Sequence, residues 1–131
     1  MDILKMIAQQ EDVLGTVPAT DVQISKAENE LGVIFANDYK KCIKEYGNLS
    51  VGDHELTGVC STNENNVVEI TREERQLNPE VPKDWYVIEQ TDIDSVVIWQ
   101  VESGEVYQSS LNFEAIKIAD SLYEYLLEEE E

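Results

Sequence analysis

The residue types that catalyse most reactions are sparse in this sequence. His54 is the only histidine, and no H-x-x-x-H or H-E-x-x-H pattern supplies a second imidazole for a metal ion. Cys42 and Cys60 form no C-x-x-C pair. One alternative is a nucleophilic dyad in which His54 activates the Cys60 thiol. We expect instead that Cys42 is a small buried apolar residue of a helix and that His54 lies in a solvated turn.

Carboxylates are abundant, but their pattern does not define a catalytic site. The sequence holds 28 Asp and Glu residues, so some of them must lie close together whatever their role. Asp92-Ile93-Asp94 is similar to the first residues of a calcium-binding loop, but Val96 occupies the next ligand position and the central glycine is missing. We expect a turn with two solvated carboxylates there. A hydrolase that uses carboxylates stays open as an alternative, without a recognisable set of nucleophile, base and orienting group.

The acidic charge argues against several classes of partner. Nine Lys and Arg stand against 28 Asp and Glu, which gives a net charge of −19 at pH 7. Such a surface repels nucleic acid phosphates and anionic lipids. Residues 84–131 contain 13 acids and a single base, Lys117, so this part of the chain is the more acidic. No segment approaches the ~20 apolar residues of a membrane span, and no secretory signal pattern is present, so we expect a cytoplasmic protein.

The apolar content is sufficient for a folded core. Apolar residues make up 42% of the 131 residues, and a chain of this length forms one domain more often than two. We expect a single domain over residues 1–131, with its core at about 20–127 and a solvated acidic tail at 128–131.

The elements that would hold a site are best defined between residues 20 and 47. Thr20 and Gln23 have the spacing of a capping box, which predicts the start of a helix that ends at Gly32. Asn37 is predicted to cap a second helix, which Gly47 closes. The apolar residues between these signals recur at helical spacing. This segment is therefore predicted to be a helix–turn–helix unit.

Hydrophobic patterns and turn signals predict the remaining elements. They are helices over residues 2–10, 66–75 and 119–126, a hairpin or two short strands within 49–59, and strands over 85–88, 95–101 and 105–109. The strand over 95–101 is nearly all apolar, which indicates a central strand. Ser103-Gly104 predicts a hairpin turn after it. The order of elements predicts an α+β domain with helices packed on a largely antiparallel sheet.

A block of residues in the helix–turn–helix unit forms a recognisable pattern: Ala27-Glu28, Leu31-Gly32-Val33, Phe35, Asp38-Tyr39-Lys40, Ile43 and Glu45-Tyr46-Gly47. The pattern resembles the opening signature of the SUKH superfamily of Smi/Knr-type proteins. The resemblance continues downstream, to about residue 127, through Gly52, Glu55, Gly58, Val67-Val68, Thr71, Arg75, Tyr86-Val87-Ile88, Val96-Val97-Ile98, Gly104, Val106-Tyr107, Ala119-Asp120-Ser121 and Tyr125-Leu126. The chain departs from the family at Ala36, where a proline is usual, and at Cys42, where an aromatic residue is common.

The resemblance implies a toxin-immunity protein. Bacterial members of the superfamily bind and neutralise toxin domains, often nucleases, in polymorphic or contact-dependent systems, whereas fungal members are regulators or scaffolds in cell-wall synthesis. The leading hypothesis is therefore a non-enzymatic protein that occludes a cognate toxin. A regulatory or scaffold protein of the same fold, acting in cell-wall synthesis or signalling, is the alternative.

Charge complementarity indicates which residues would contact such a toxin. A nuclease presents a cationic cleft to its substrate, so carboxylates from the acidic part of the chain are complementary to it. We expect the contacts to come from loop and sheet-edge carboxylates, namely Glu89, Asp92, Asp94, Glu102 and Glu105. Trp85 and Trp99 are alternative aromatic anchors, although each is expected in the core. No cofactor or metal ion is expected.

Overall fold

The computed structural model of the chain describes residues 2–59, 65–91, 95–110 and 113–128. Within these ranges it contains helices and strands in a mixed order. The elements are α1 (Ile3–Ala8), β1 (Val13–Leu14), α2 (Asp21–Leu31), α3 (Asn37–Tyr46), β2 (Ser50–Val51), β3 (His54–Glu55), α4 (Val67–Leu77), β4 (Tyr86–Gln90), β5 (Val97–Gln100), β6 (Val106–Ser110), β7 (Phe113–Ala119) and α5 (Leu122–Glu128). The helices and antiparallel sheets confirm the predicted α+β fold class.

The helix ends follow local sequence signals, with one correction. Thr20 and Gln23 form the predicted capping box at the start of α2, and Gly32 ends this helix in the left-handed conformation. Asn37 does not cap α3. The N-cap is Ala36, which makes no side-chain hydrogen bond, and Asn37 is the first helical residue. Asn66 caps α4 by accepting hydrogen bonds from the next turn, so the predicted middle helix is confirmed.

The strands form two antiparallel sheets, which pack against the helices. A small sheet has the strand order β1-β2-β3, and a larger one has the order β4-β5-β6-β7. β5 is an inner strand that pairs with β4 and β6, which confirms its prediction as a central strand. β1 and β7 were not predicted from the sequence. β1 has only two residues, and β7 is exposed on both sides for most of its length, so neither produces an alternating pattern.

Both faces of the larger sheet are covered at β4 and β5. Successive residues of a strand point to opposite faces, and those of β4 contribute to two different clusters. Tyr86 packs in the main core, which includes buried residues of α1, α2, α3 and α5. Val87 packs with Trp99 and with Ile70 of α4 in the second cluster. Trp99 is fully buried, so its expected position in the core is confirmed, while Trp85 is only partly buried at the rim of the second cluster.

The two edges of the larger sheet differ. The outer edge of β4 is covered by the segment that follows β3, because the backbone N–H of Thr57 donates to the carbonyl of Ile88 at 2.8 Å. β7 forms the opposite edge and pairs only with β6 among the described strands. One edge is therefore closed by the chain itself and the other is open.

Candidate functional site

A groove of about 490 Å³ lies where the N-terminal ends of three helices meet the turn between β5 and β6. We call it the acidic groove. Its lining residues are Asp2, Ile3, Ala36, Asn37, Asp38, Lys41, Glu102, Ser103, Gly104, Asp120, Ser121 and Tyr123. Four of them are acids and one is a base. The groove therefore favours cationic groups.

Two of these carboxylates serve the helices that meet at the groove. The Asp2 carboxylate accepts a hydrogen bond from the backbone N–H of Leu4 at the start of α1, at 3.1 Å. It also binds Lys41 at 2.8 Å, and this contact lowers the pKa of Asp2 and raises that of Lys41. Asp38 accepts from the backbone N–H of Leu122 at 2.9 Å and so satisfies the start of α5. Asp2 and Asp38 thus have structural roles that account for their presence.

A buried hydrogen-bond chain supports the floor of the groove. The backbone N–H of Ala36 donates to the Tyr86 hydroxyl at 2.9 Å, and this hydroxyl donates to Gln100 Oε1 at 2.8 Å. Gln100 Nε2 then donates to the Asp38 carboxylate at 3.0 Å and to the carbonyl of Gly104 at 3.1 Å. Gln100 is fully buried, and a buried amide needs such partners. These hydrogen bonds connect the start of α3, β4, β5 and the turn before β6 into one rigid base.

An ion-pair network forms an outer wall beside the groove and meets its lining at Ser103 and Asp120. Lys117 of β7 contacts Glu105 at 3.2 Å and also pairs with Asp120. The Ser103 and Tyr107 hydroxyls donate to Glu105 at 3.1 and 3.3 Å. The hydrogen bond from Lys117 is the main cause that lowers the pKa of Glu105, and the same network raises the pKa of Lys117. The carboxylates of this wall are thus already engaged inside the protein.

Glu102 differs from the other acids of the groove. It lies in the turn between β5 and β6 and is exposed. Within the ranges that the structure describes, its carboxylate makes no ion pair and no hydrogen bond to a side chain. A partner's Lys or Arg can therefore bind it without displacing an internal contact.

The predicted contact residues separate into three groups. Glu102 lines the groove, whereas Glu105 does not line it and is linked to it through Ser103 and Lys117. Glu89 is 6% exposed, so the expectation that it offers its carboxylate at the surface is wrong in this structure. Asp92 and Asp94 lie outside the described residues. Asp2, Asp38 and Asp120 join the groove through contacts between distant elements, which no local pattern signals.

Glu89 is buried because it organises a polar cluster inside the protein. Its Oε1 atom lies 2.9 Å from His54 Nδ1 and accepts from the Tyr125 hydroxyl at 2.5 Å. Its Oε2 atom accepts from the backbone N–H of Glu55 at 2.9 Å. His54 is 6% exposed, so its predicted solvated turn is also wrong. A buried carboxylate requires internal partners of this kind.

The other residues considered for chemistry give no catalytic arrangement. Cys42 is buried, as expected, and burial raises the pKa of its thiol to about 12, so the thiol is not a nucleophile near pH 7. Cys60 lies outside the described residues. Among the residues with described positions, no group of three or more His, Cys, Asp and Glu side chains could hold a metal ion. In the same ranges, no helix has the length and apolar character needed to cross a membrane.

The geometry and the sequence agree with one protein family. The family model described as SUKH_5, SMI1-KNR4 cell-wall, matches residues 1–130. No curated protein sequence gives a significant match. The family match covers the helix–turn–helix unit, both sheets and the acidic groove. The chain is thus a member of the SUKH superfamily, in the SMI1-KNR4 family.

Proposed function

We propose that this protein is a cytoplasmic immunity protein that binds a cognate toxin domain and neutralises it without catalysis. The observation that carries the proposal is the acidic groove, with the exposed and uncommitted carboxylate of Glu102, on a chain of net charge −19 in the SUKH superfamily. The toxin class that this surface fits is a nuclease, because nucleases expose cationic residues to bind phosphates.

The proposed mechanism has an electrostatic and a steric part. The negative field of the chain attracts a basic surface over a distance and accelerates association. After docking, a cationic side chain of the toxin binds Glu102, and the body of the immunity protein covers the toxin's substrate cleft. The hydrogen bonds of Gln100 hold the floor of the groove in one shape, and this rigidity reduces the conformational entropy lost on binding.

Rescue from toxicity tests this proposal. The toxin domain encoded by the neighbouring gene is expressed alone and together with this protein, and cell survival is counted. We expect death with the toxin alone and survival with both. A harmless neighbouring product, or death despite folded immunity protein, would contradict the immunity function.

A charge-matched pair of variants tests the groove. Glu102→Lys should weaken rescue and slow association with the purified toxin domain. Glu73→Lys is the control, because it makes the same charge change on an exposed position of α4 outside the groove. Equal effects of the two variants would show that only the total charge matters and would remove the groove from the proposal.

A regulatory or scaffold role is the second candidate, and the cell-wall description of the matched family favours it. In that case a toxin is not the partner, and the protein would fail to rescue cells while remaining folded. Affinity capture from the host, followed by identification of cell-wall synthesis components, would support this role over immunity.

A further inference from the structure

Strand β7 is an open edge with unusual surroundings. It is the longest strand of the larger sheet, Phe113–Ala119, and the other edge of that sheet is already closed at Ile88. An open edge presents unpaired backbone N–H and C=O groups that can accept another strand. Many proteins protect such an edge with a lysine. Here Lys117 is held by Glu105 and Asp120, so its charge is largely neutralised.

Two large apolar side chains are exposed on this edge strand. Phe113 is 76% exposed and Ile116 is 56% exposed. They pair with Ser110 and Gln108 of β6 across a bulge in β7, so both side chains lie on the same face of the sheet. Phe113 also lines a groove of about 770 Å³ with Leu77 and Trp85. An added strand would thus find apolar contacts for the side chains on one of its faces.

The charge around the edge identifies the kind of occupant. Glu80 and Glu114 line the same groove, and no Lys, Arg or His lines it. A second copy of this chain would bring another net charge of −19 to this acidic surface, so charge opposes that occupant. A segment that carries Lys or Arg beside apolar residues fits both the acidic charge and the apolar side chains of this groove.

We propose that β7 binds an extended segment of a partner protein, which alternates apolar and basic residues and adds to the sheet as a fifth strand. Backbone hydrogen bonds to β7 supply much of the affinity, and the groove beside Phe113 receives an apolar side chain of the segment. The carboxylates of Glu80 and Glu114 select for its basic residues. The groove beside Phe113 shares no lining residue with the acidic groove, so it can be tested without knowing the toxin.

Designed peptides provide the probe. The first is a hexapeptide that alternates lysine and isoleucine, the second replaces each lysine with glutamate, and the third is the first peptide with N-methyl groups along one edge. We expect the first peptide to change the fluorescence of the partly buried Trp85 and to slow amide hydrogen exchange in residues 113–118. The acidic and N-methylated peptides should do neither.

Two variants complete the test. Ile116→Lys should weaken binding of the lysine peptide about fivefold or more, because it removes one cross-strand contact and adds like charge. Ile34→Lys is the control, since Ile34 has a similar exposure of 51% and lies outside β7. Thermal unfolding verifies that both variants fold.

Four results would overturn the inference. They are absence of binding by the lysine peptide, equal binding by the N-methylated peptide, protection that falls outside β7, and equal effects of the two variants. Protection of β7 that rises with the concentration of the free protein would assign the edge to a second copy and would also refute the proposal. None of these results changes the expected rescue by the immunity function, so the two proposals fail separately.

Discussion

The Glu89 carboxylate stabilises the fold from a buried position, where a partner protein cannot contact it. It lies 6% exposed in β4 and accepts hydrogen bonds from the Tyr125 hydroxyl and the backbone of Glu55. A buried carboxylate without such partners is strongly unfavourable. Its burial could not be predicted from the sequence, because the donors come from α5 and β3, far along the chain.

We predict that Tyr125→Phe destabilises the protein by about 2 kcal/mol, since it removes a donor from a buried carboxylate. The free energy of unfolding in urea measures the effect. Tyr123→Phe on the same helix is the control, because within the described ranges the Tyr123 hydroxyl has no hydrogen-bond partner. Equal stability of the two variants would contradict the role assigned to the Tyr125 hydroxyl.

The pH response of Glu105 is a second prediction at the scale of the residue. Its pKa lies below the ordinary value of 4.5, mainly because of Lys117. The ion pair is therefore complete above pH 4.5 and is lost as the pH falls through the lowered pKa of the folded state. Carbon NMR of the carboxyl group should show this lowered pKa in the wild type.

Substitution of the lysine tests the cause. Lys117→Met should return the pKa of Glu105 towards its ordinary value, whereas Lys117→Arg should keep it low. If the pKa of Glu105 were as low in Lys117→Met as in the wild type, the Ser103 and Tyr107 hydroxyls would be the groups that lower it.

At the scale of the elements, Asp38 joins parts of the chain that are distant in sequence. It belongs to α3, accepts from the first backbone N–H of α5 and accepts from Gln100 of β5. It therefore satisfies a helix end and supports the floor of the acidic groove at once.

We predict that Asp38→Ala lowers the free energy of unfolding by about 2 kcal/mol, through loss of a helix cap and of a partner for Gln100. Asp38→Asn retains a side-chain acceptor and should lose less. Urea unfolding followed by circular dichroism distinguishes the two variants. If Asp38→Ala had the same free energy of unfolding as the wild type, the capping role of Asp38 would be contradicted.

Elements with local signals were predictable, and those defined by tertiary contacts were not. Thr20 and Gly32 marked the ends of α2 because capping and left-handed backbone depend on a few neighbouring residues. The edge strand β7 was missed because it lacks a consistently buried face. In the candidate site, Glu102 was chosen from the charge of its part of the chain together with the family resemblance, and its contact role stays a prediction. Asp2 and Asp120 reach the groove only through folding of the whole chain.

At the scale of the whole molecule, the net charge of −19 acts on partners before contact. Charges interact over a Debye length of about 8 Å at physiological salt, and over longer distances at low salt. The family match assigns the fold, and the charge is the physical reason for which a basic partner is proposed.

We predict that association with the basic toxin domain slows about tenfold as ionic strength rises from dilute buffer to well above physiological salt. Stopped-flow mixing at several salt concentrations measures the rate constant, with sucrose as a control for viscosity. A rate constant that does not change with salt would contradict electrostatic steering, even if the complex itself forms.

The placement of Lys117 has a consequence for proteolysis. It is the only Lys or Arg after Lys83, so trypsin can cut residues 84–131 only after Lys117. This bond lies within β7, where a protease needs the strand to leave the sheet before it can bind. The rate at which trypsin cuts the bond after Lys117 therefore reports the opening of this edge, without any label in the protein.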